Sequence, residues 1–116
     1  MDVLNLQAAL DRVGGDQELL EEVAQLFLES AGGMLELVQA AAAMGDPRAL
    51  ERAAHALKGS VGNFGAEPAH QAALRLEQMG RKRELVGVDE ALSALVKELD
   101  RLRPALVSAL VPRHVS

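Results

Sequence analysis

Cysteine, tryptophan and tyrosine are absent from this 116-residue chain, and aromatic residues make up only 2% of it. The lack of cysteine removes disulfides, thiolate zinc sites and cysteine nucleophiles together. No apolar stretch approaches the roughly 18 uninterrupted residues that a membrane span needs. The start, Met1-Asp2-Val3, has none of the basic residues that open a secretory signal. A soluble, cytoplasmic protein with no membrane partner is therefore expected. Runs of β-branched and aromatic residues, the raw material of strands, are also missing. The net charge of −5 argues against nucleic acid as a partner.

What is present points to helices. The chain is 49% apolar, and its dominant residues, Ala, Leu, Glu and Arg, are good helix formers. Its length suits one hydrophobic core, so residues 1–116 are read as a single all-α domain. Charge is spread unevenly. Residues 1–45 carry eight acids and one base, Arg12, whereas residues 46–116 carry nine acids and eleven bases.

Punctuation and period predict five helices. Asn5 can cap a short first helix, with Leu6, Ala9, Leu10 and Val13 at helical spacing, ended by Gly14-Gly15. Asp16 opens a second that reaches Met44. Its apolar stripe is Leu19, Leu20, Val23, Leu26, Phe27, Met34, Leu37, Val38 and Ala41, and Gly32-Gly33 is its weak point. Gly45-Asp46-Pro47 stops one helix and starts the next, which covers about 46–64 and ends at Gly65. A fourth is expected from near Pro68 to Gly80, followed by a polar link over 81–87. The last carries Leu92, Leu95, Leu99, Leu102, Leu106 and Leu110, with Pro104 expected to kink or open it. The tail, Pro112 to Ser116, is expected to fray. Short connections between long amphipathic helices predict an antiparallel up-down four-helix bundle, with the short first helix capping one end.

The third helix carries the informative chemistry. With His55 at zero on a helical wheel, Leu50, Ala53, Ala54, Leu57, Val61 and Phe64 fall within about 80° of the opposite face, all but Ala54 within about 60°. His55 thus points to solvent from mid-helix, beside Arg48, Glu51, Arg52, Lys58, Gly59 and Gly62. The two glycines each cost roughly 1 kcal/mol relative to Ala in a helix. Lying four and seven residues after the histidine, they clear space on its face. A helix weakened there suits the close approach of another molecule. A solvated imidazole, with a reference pKa of about 6.5, is largely neutral near pH 7 and can take up a phosphoryl group on a ring nitrogen. Lys58, one turn along, could pair with phosphoryl oxygens, and Arg48 and Arg52 would add positive potential. An exposed His near a Lys is, by itself, most often plain surface.

The run His55-Ala56-Leu57-Lys58-Gly59-Ser60, followed by Gly65, resembles the signature of the histidine-containing phosphotransfer (HPt) family, and every fixed position is met. Gly45-Asp46 and Leu76-Glu77 also look like the family pattern, and the resemblance extends from about Gly15-Asp16 through the final helix. It implies a four-helix bundle in which His55 is phosphorylated, Lys58 is the family's lysine and Gly59 the small residue that opens access. Many members carry a Gln on the next helix that bonds the imidazole or the phosphoryl group; the matching position here is Glu77. A carboxylate could accept from the imidazole or pair with Lys58, but would repel a phosphoryl group. A surface helix residue is an equal reading of Glu77. Arg81, one turn on, would supply positive charge at the same edge.

The resemblance implies partners too. Members accept phosphoryl from an aspartyl phosphate on a response-regulator receiver domain, or within a hybrid sensor histidine kinase, and pass it to another receiver's Asp. The receiver supplies the acidic pocket and Mg²⁺, so no cofactor or metal is expected in this chain. The protein would be a carrier, not an enzyme, and a monomer. Met1 and the tail expected to fray lean slightly toward a free-standing protein over a piece of a larger kinase. Two other readings stay open: the phosphoacceptor domain of a chemotaxis-type kinase, and a non-catalytic helical adaptor. His70 and His114 are read as ordinary, Met34, Met44 and Met79 as core fillers, and Asp16-Glu18-Glu21-Glu22 as a solvated helix start. Arg81-Lys82-Arg83 is too short a run for nucleic acid and is read as an exposed link.

Overall fold

A computed structural model describes residues 2–110, and it is helical. The elements are α1 (Leu6–Arg12), α2 (Gln17–Ala43), α3 (Pro47–Gly62), α4 (Glu67–Lys82) and α5 (Val88–Leu110); no strand occurs among the described residues. The first three start as the sequence predicts. The side chains of Asn5, Asp16 and Asp46 each accept a hydrogen bond from a backbone N–H three residues on, at 3.0, 3.0 and 3.1 Å. Pro47 occupies the first turn of α3, where no N–H is needed.

Each of α2, α3, α4 and α5 packs against two of the others, α3 with α4 most extensively, while α1 lies on α2. One core fills the space between them. Leu50, Ala54, Leu57 and Val61 of α3 face Leu20, Phe27 and Val38 of α2, Ala69, Ala73 and Leu76 of α4, and Leu95, Leu99, Leu102 and Leu106 of α5. The chain's two phenylalanines meet in this core, Phe27 and Phe64 having ring centroids 5.4 Å apart.

Several expectations are corrected. The α2 stripe is narrower than its apolar residues suggest: Leu19, Leu26 and Leu37 are exposed, as is Leu6 of α1. Met44 is 78% exposed and fills no core. The neighbours of α2 cover only the arc through Leu20, Ala24, Phe27, Ala31, Val38 and Ala41. Gly32 and Gly33 do not break the helix, which spans both without interruption. Helix α5 likewise continues through Pro104.

Helix α4 does not stop at Gly80. It runs on to Lys82, so Arg81 belongs to the helix and not to a link, and Arg83 ends it in the left-handed conformation with φ 57°. Gly80 has another task. A β-carbon there would sit 2.6 Å from both the Pro47 carbonyl oxygen and the Glu51 amide nitrogen, a separation that no side chain tolerates. Its bareness lets α4 approach the first turns of α3 backbone to backbone. The expected fraying of 112–116, and His114 with it, lie outside the described residues.

Candidate functional site

The core stripe of α3 fixes where His55 points. With Leu50, Ala54, Leu57 and Val61 fully buried, the opposite side of the helix faces outward, and the His55 side chain is 67% exposed. Its ring is nonetheless held. Nδ1 lies 2.7 Å from Oε2 of Glu77 on α4, which Gly80 has brought close. Lys58, one turn after His55, places Nζ 2.6 Å from the other Glu77 oxygen. Arg81, one turn after Glu77, donates from Nη2 to Glu77 Oε2 at 3.1 Å and from Nε to Glu51 Oε2 at 3.1 Å.

Glu77 is the hub of this cluster and is 1% exposed. The reading of it as a surface residue is overturned, because the α3–α4 approach closes over it. Burial alone pushes its carboxyl up, but the hydrogen bonds and charges of Lys58 and His55 together outweigh that, so it lies below its ordinary value. It is therefore an ionised acceptor, which makes His55 Nδ1 the donor. In the neutral form of the ring the lone pair then lies on the remaining nitrogen, Nε2. A buried anion thus holds the orientation of an exposed imidazole.

Beside the ring lies an open groove of about 560 Å³ lined by Arg48, Glu51, Arg52, His55, Glu77 and Arg81. Arg81 is committed to the two glutamates, whereas Arg48 and Arg52 make no ion pair among the described residues. A larger depression between α2 and α5 includes none of these residues. No cluster of three or more His, Cys, Asp or Glu side chains that could hold a metal occurs among the described residues. Nor, among them, is any helix long and apolar enough to cross a membrane.

A family model described as "Hpt domain" matches residues 22–105, most of the chain. The chain belongs to the Hpt domain family. No curated protein and no solved structure gave a match. Hpt domains act in histidine phosphotransfer within two-component phosphorelays, as phosphocarriers and not as catalysts, and they interact with receiver domains.

The geometry sorts the sequence-derived residues of this Hpt chain. His55, Lys58, Glu77 and Arg81 form one bonded cluster, and Arg48 and Arg52 border the same groove. Gly59 is exposed, and a β-carbon there would meet nothing within 4 Å. Gly62 does not line that groove; together with Lys58 and Gly59 it borders an adjoining depression that also includes Arg12 and His70, and a β-carbon on it would have His70 Cδ2 as its nearest neighbour at 3.7 Å. Sequence reasoning missed Glu51 as the second anchor of Arg81 and Gly80 as the close-packing residue. The signal for Gly80 was present, as Ala69, Ala73, Leu76 and Gly80 recur at helical spacing on the face of α4 that is buried. Gly65 also acquires a reason: its φ is +58°, and a β-carbon there would sit 2.7 Å from Cβ of Asn5, which seats the start of α1 on the α3–α4 turn.

Proposed function

We propose that His55 Nε2 accepts a phosphoryl group from the aspartyl phosphate of one receiver domain and hands it to the aspartate of another. The observation that carries this reading is the contact of His55 Nδ1 with a carboxylate oxygen of buried Glu77 at 2.7 Å, while the histidine side chain stands 67% exposed. In the first transfer the Nε2 lone pair attacks phosphorus, the Nε2–P bond forms, the Asp O–P bond breaks and the carboxylate departs. The second transfer is the reverse at a different aspartate. The receiver would supply Mg²⁺ and an acidic pocket, which Arg48 and Arg52 at the edge of the groove complement. Gly59 leaves room for that pocket to close over the ring.

The packing cycle of α2 to α5 and their short links support an antiparallel up-down four-helix bundle, capped at one end by α1. We read residues 1–116 as one such domain, monomeric and cytoplasmic, acting with receivers or with a hybrid kinase that carries them. The test is transfer of acid-labile label from a phosphorylated receiver, compared with label from an ATP-loaded histidine kinase core. Receiver-derived label on the wild type that is lost in His55→Gln is the expected result. Label from the kinase core alone would assign a chemotaxis-type phosphoacceptor, and no label from any donor would leave an adaptor.

A further inference from the structure

The contact between His55 and Glu77 outlasts the attack. When Nε2 takes the phosphoryl group, the Nδ1 proton is still on the ring, so the first product is a phosphoimidazolium. If that proton leaves, the ring becomes a neutral phosphoimidazole, and Nε2–P cleavage would have to expel an imidazolide anion, a poor leaving group. If it stays, cleavage releases neutral imidazole. We propose that Glu77 keeps the Nδ1 proton in place throughout the carrier cycle, so that phospho-His55 remains a ready donor at neutral and mildly alkaline pH. No proton then has to move in either transfer: Nε2–P forms as Asp O–P breaks, and the reverse step restores the starting tautomer. This rests on the carrier reading above.

The charges around the ring favour it. The oxygen in direct contact at 2.7 Å belongs to an anion 1% exposed, where a charge-assisted hydrogen bond is little screened. Opposing it, Lys58 and Arg81 share the same carboxylate, but Lys58 sits on the other oxygen and Arg81 is 60% exposed. From α3 the remaining charged groups at the groove are Arg48, Glu51 and Arg52. Helix α2, packed against α3, adds no ion pair or hydrogen bond to the cluster among the described residues. An amide at position 77 could still accept from Nδ1–H but would lack the charge that holds the proton. Glu77 is thus a positioning residue whose charge sets how easily the phosphoryl group leaves.

The experiment phosphorylates the whole chain with phosphoramidate, a small-molecule donor that needs no partner, and follows the phosphohistidine signal by ³¹P NMR against pH. Three proteins are compared: wild type, Glu77→Gln and Lys58→Met, the last relieving a competing cation without touching the carboxylate. The titration midpoint of the phosphorylated ring is expected to fall in Glu77→Gln and rise in Lys58→Met. At a pH more than one unit above all three midpoints, spontaneous loss of phosphoryl should slow about tenfold for each unit the midpoint falls, and quicken in Lys58→Met. If Glu77→Gln fails to fold, the Lys58→Met shift decides alone. Phospho-His55 that forms but titrates identically in the folded variants overturns this proposal and leaves the carrier reading intact. No phosphohistidine at residue 55 from any donor overturns both.

Discussion

At the residue scale, one buried carboxylate gives His55 its orientation, and its titration has a consequence for stability. Because the folded Glu77 lies below its ordinary value, its contribution is fully present above the usual carboxylate range and is lost as pH falls through the folded value. The stability difference between wild type and Glu77→Gln, measured by urea unfolding, should therefore be positive near neutrality and shrink toward zero in acid. A difference independent of pH would contradict the ion-pair account. With His55 and Arg81 largely exposed, the difference at neutrality should be about 1–2 kcal/mol, well short of a fully buried pair.

Gly59 makes the complementary case. A side chain there meets open space, so Gly59→Gln should stabilise the helix by up to about 1 kcal/mol. Phosphotransfer to and from a receiver should nonetheless slow, because the new side chain stands one turn from His55 on the same face. Higher thermal stability with slower transfer is the expected pair of results. Unchanged transfer would remove the steric reason for a glycine at this position.

At the scale of elements, the α3–α4 contact is the device that assembles the site. His55 and Lys58 come from one helix and Glu77 and Arg81 from the other, and Gly80 sets how near the two backbones come. Gly80→Ala forces a methyl group against two backbone atoms that cannot swing aside. A loss of about 1–3 kcal/mol is expected by chemical denaturation. Phosphoryl uptake should fall beyond what the unfolded fraction explains, since Glu77 is pushed away from the ring. A fully stable Gly80→Ala would show that the helices can separate without cost.

At the scale of the whole molecule, the uneven charge read along the chain takes on a shape. The acid-rich first 45 residues form α1 and α2, while the groove beside His55 is edged by Arg48, Arg52 and Arg81. Two of those arginines, Arg48 and Arg52, make no ion pair among the described residues, and on the proposed reading they would meet acidic groups on a receiver. Association should weaken as salt rises. Arg48→Ala with Arg52→Ala should slow binding and flatten that salt dependence, as read by stopped-flow mixing. An unchanged slope would place the receiver on another face.

Much of this was legible in the sequence by itself. Asn5, Asp16 and Asp46 announce three helix starts because a cap needs only its own next three residues. The outward aim of His55 follows from the apolar stripe of α3, since 3.6-residue periodicity is also local. Tertiary packing decided the rest. Which leucines of α2 stay exposed depends on how far its neighbours reach around it. Gly80 looks like a stop in one dimension and is a contact in three. Glu77 reads equally as surface or site until α4 lies against α3 across 22 residues of sequence, for only that approach buries its charge and brings His55 and Lys58 to it beside Arg81.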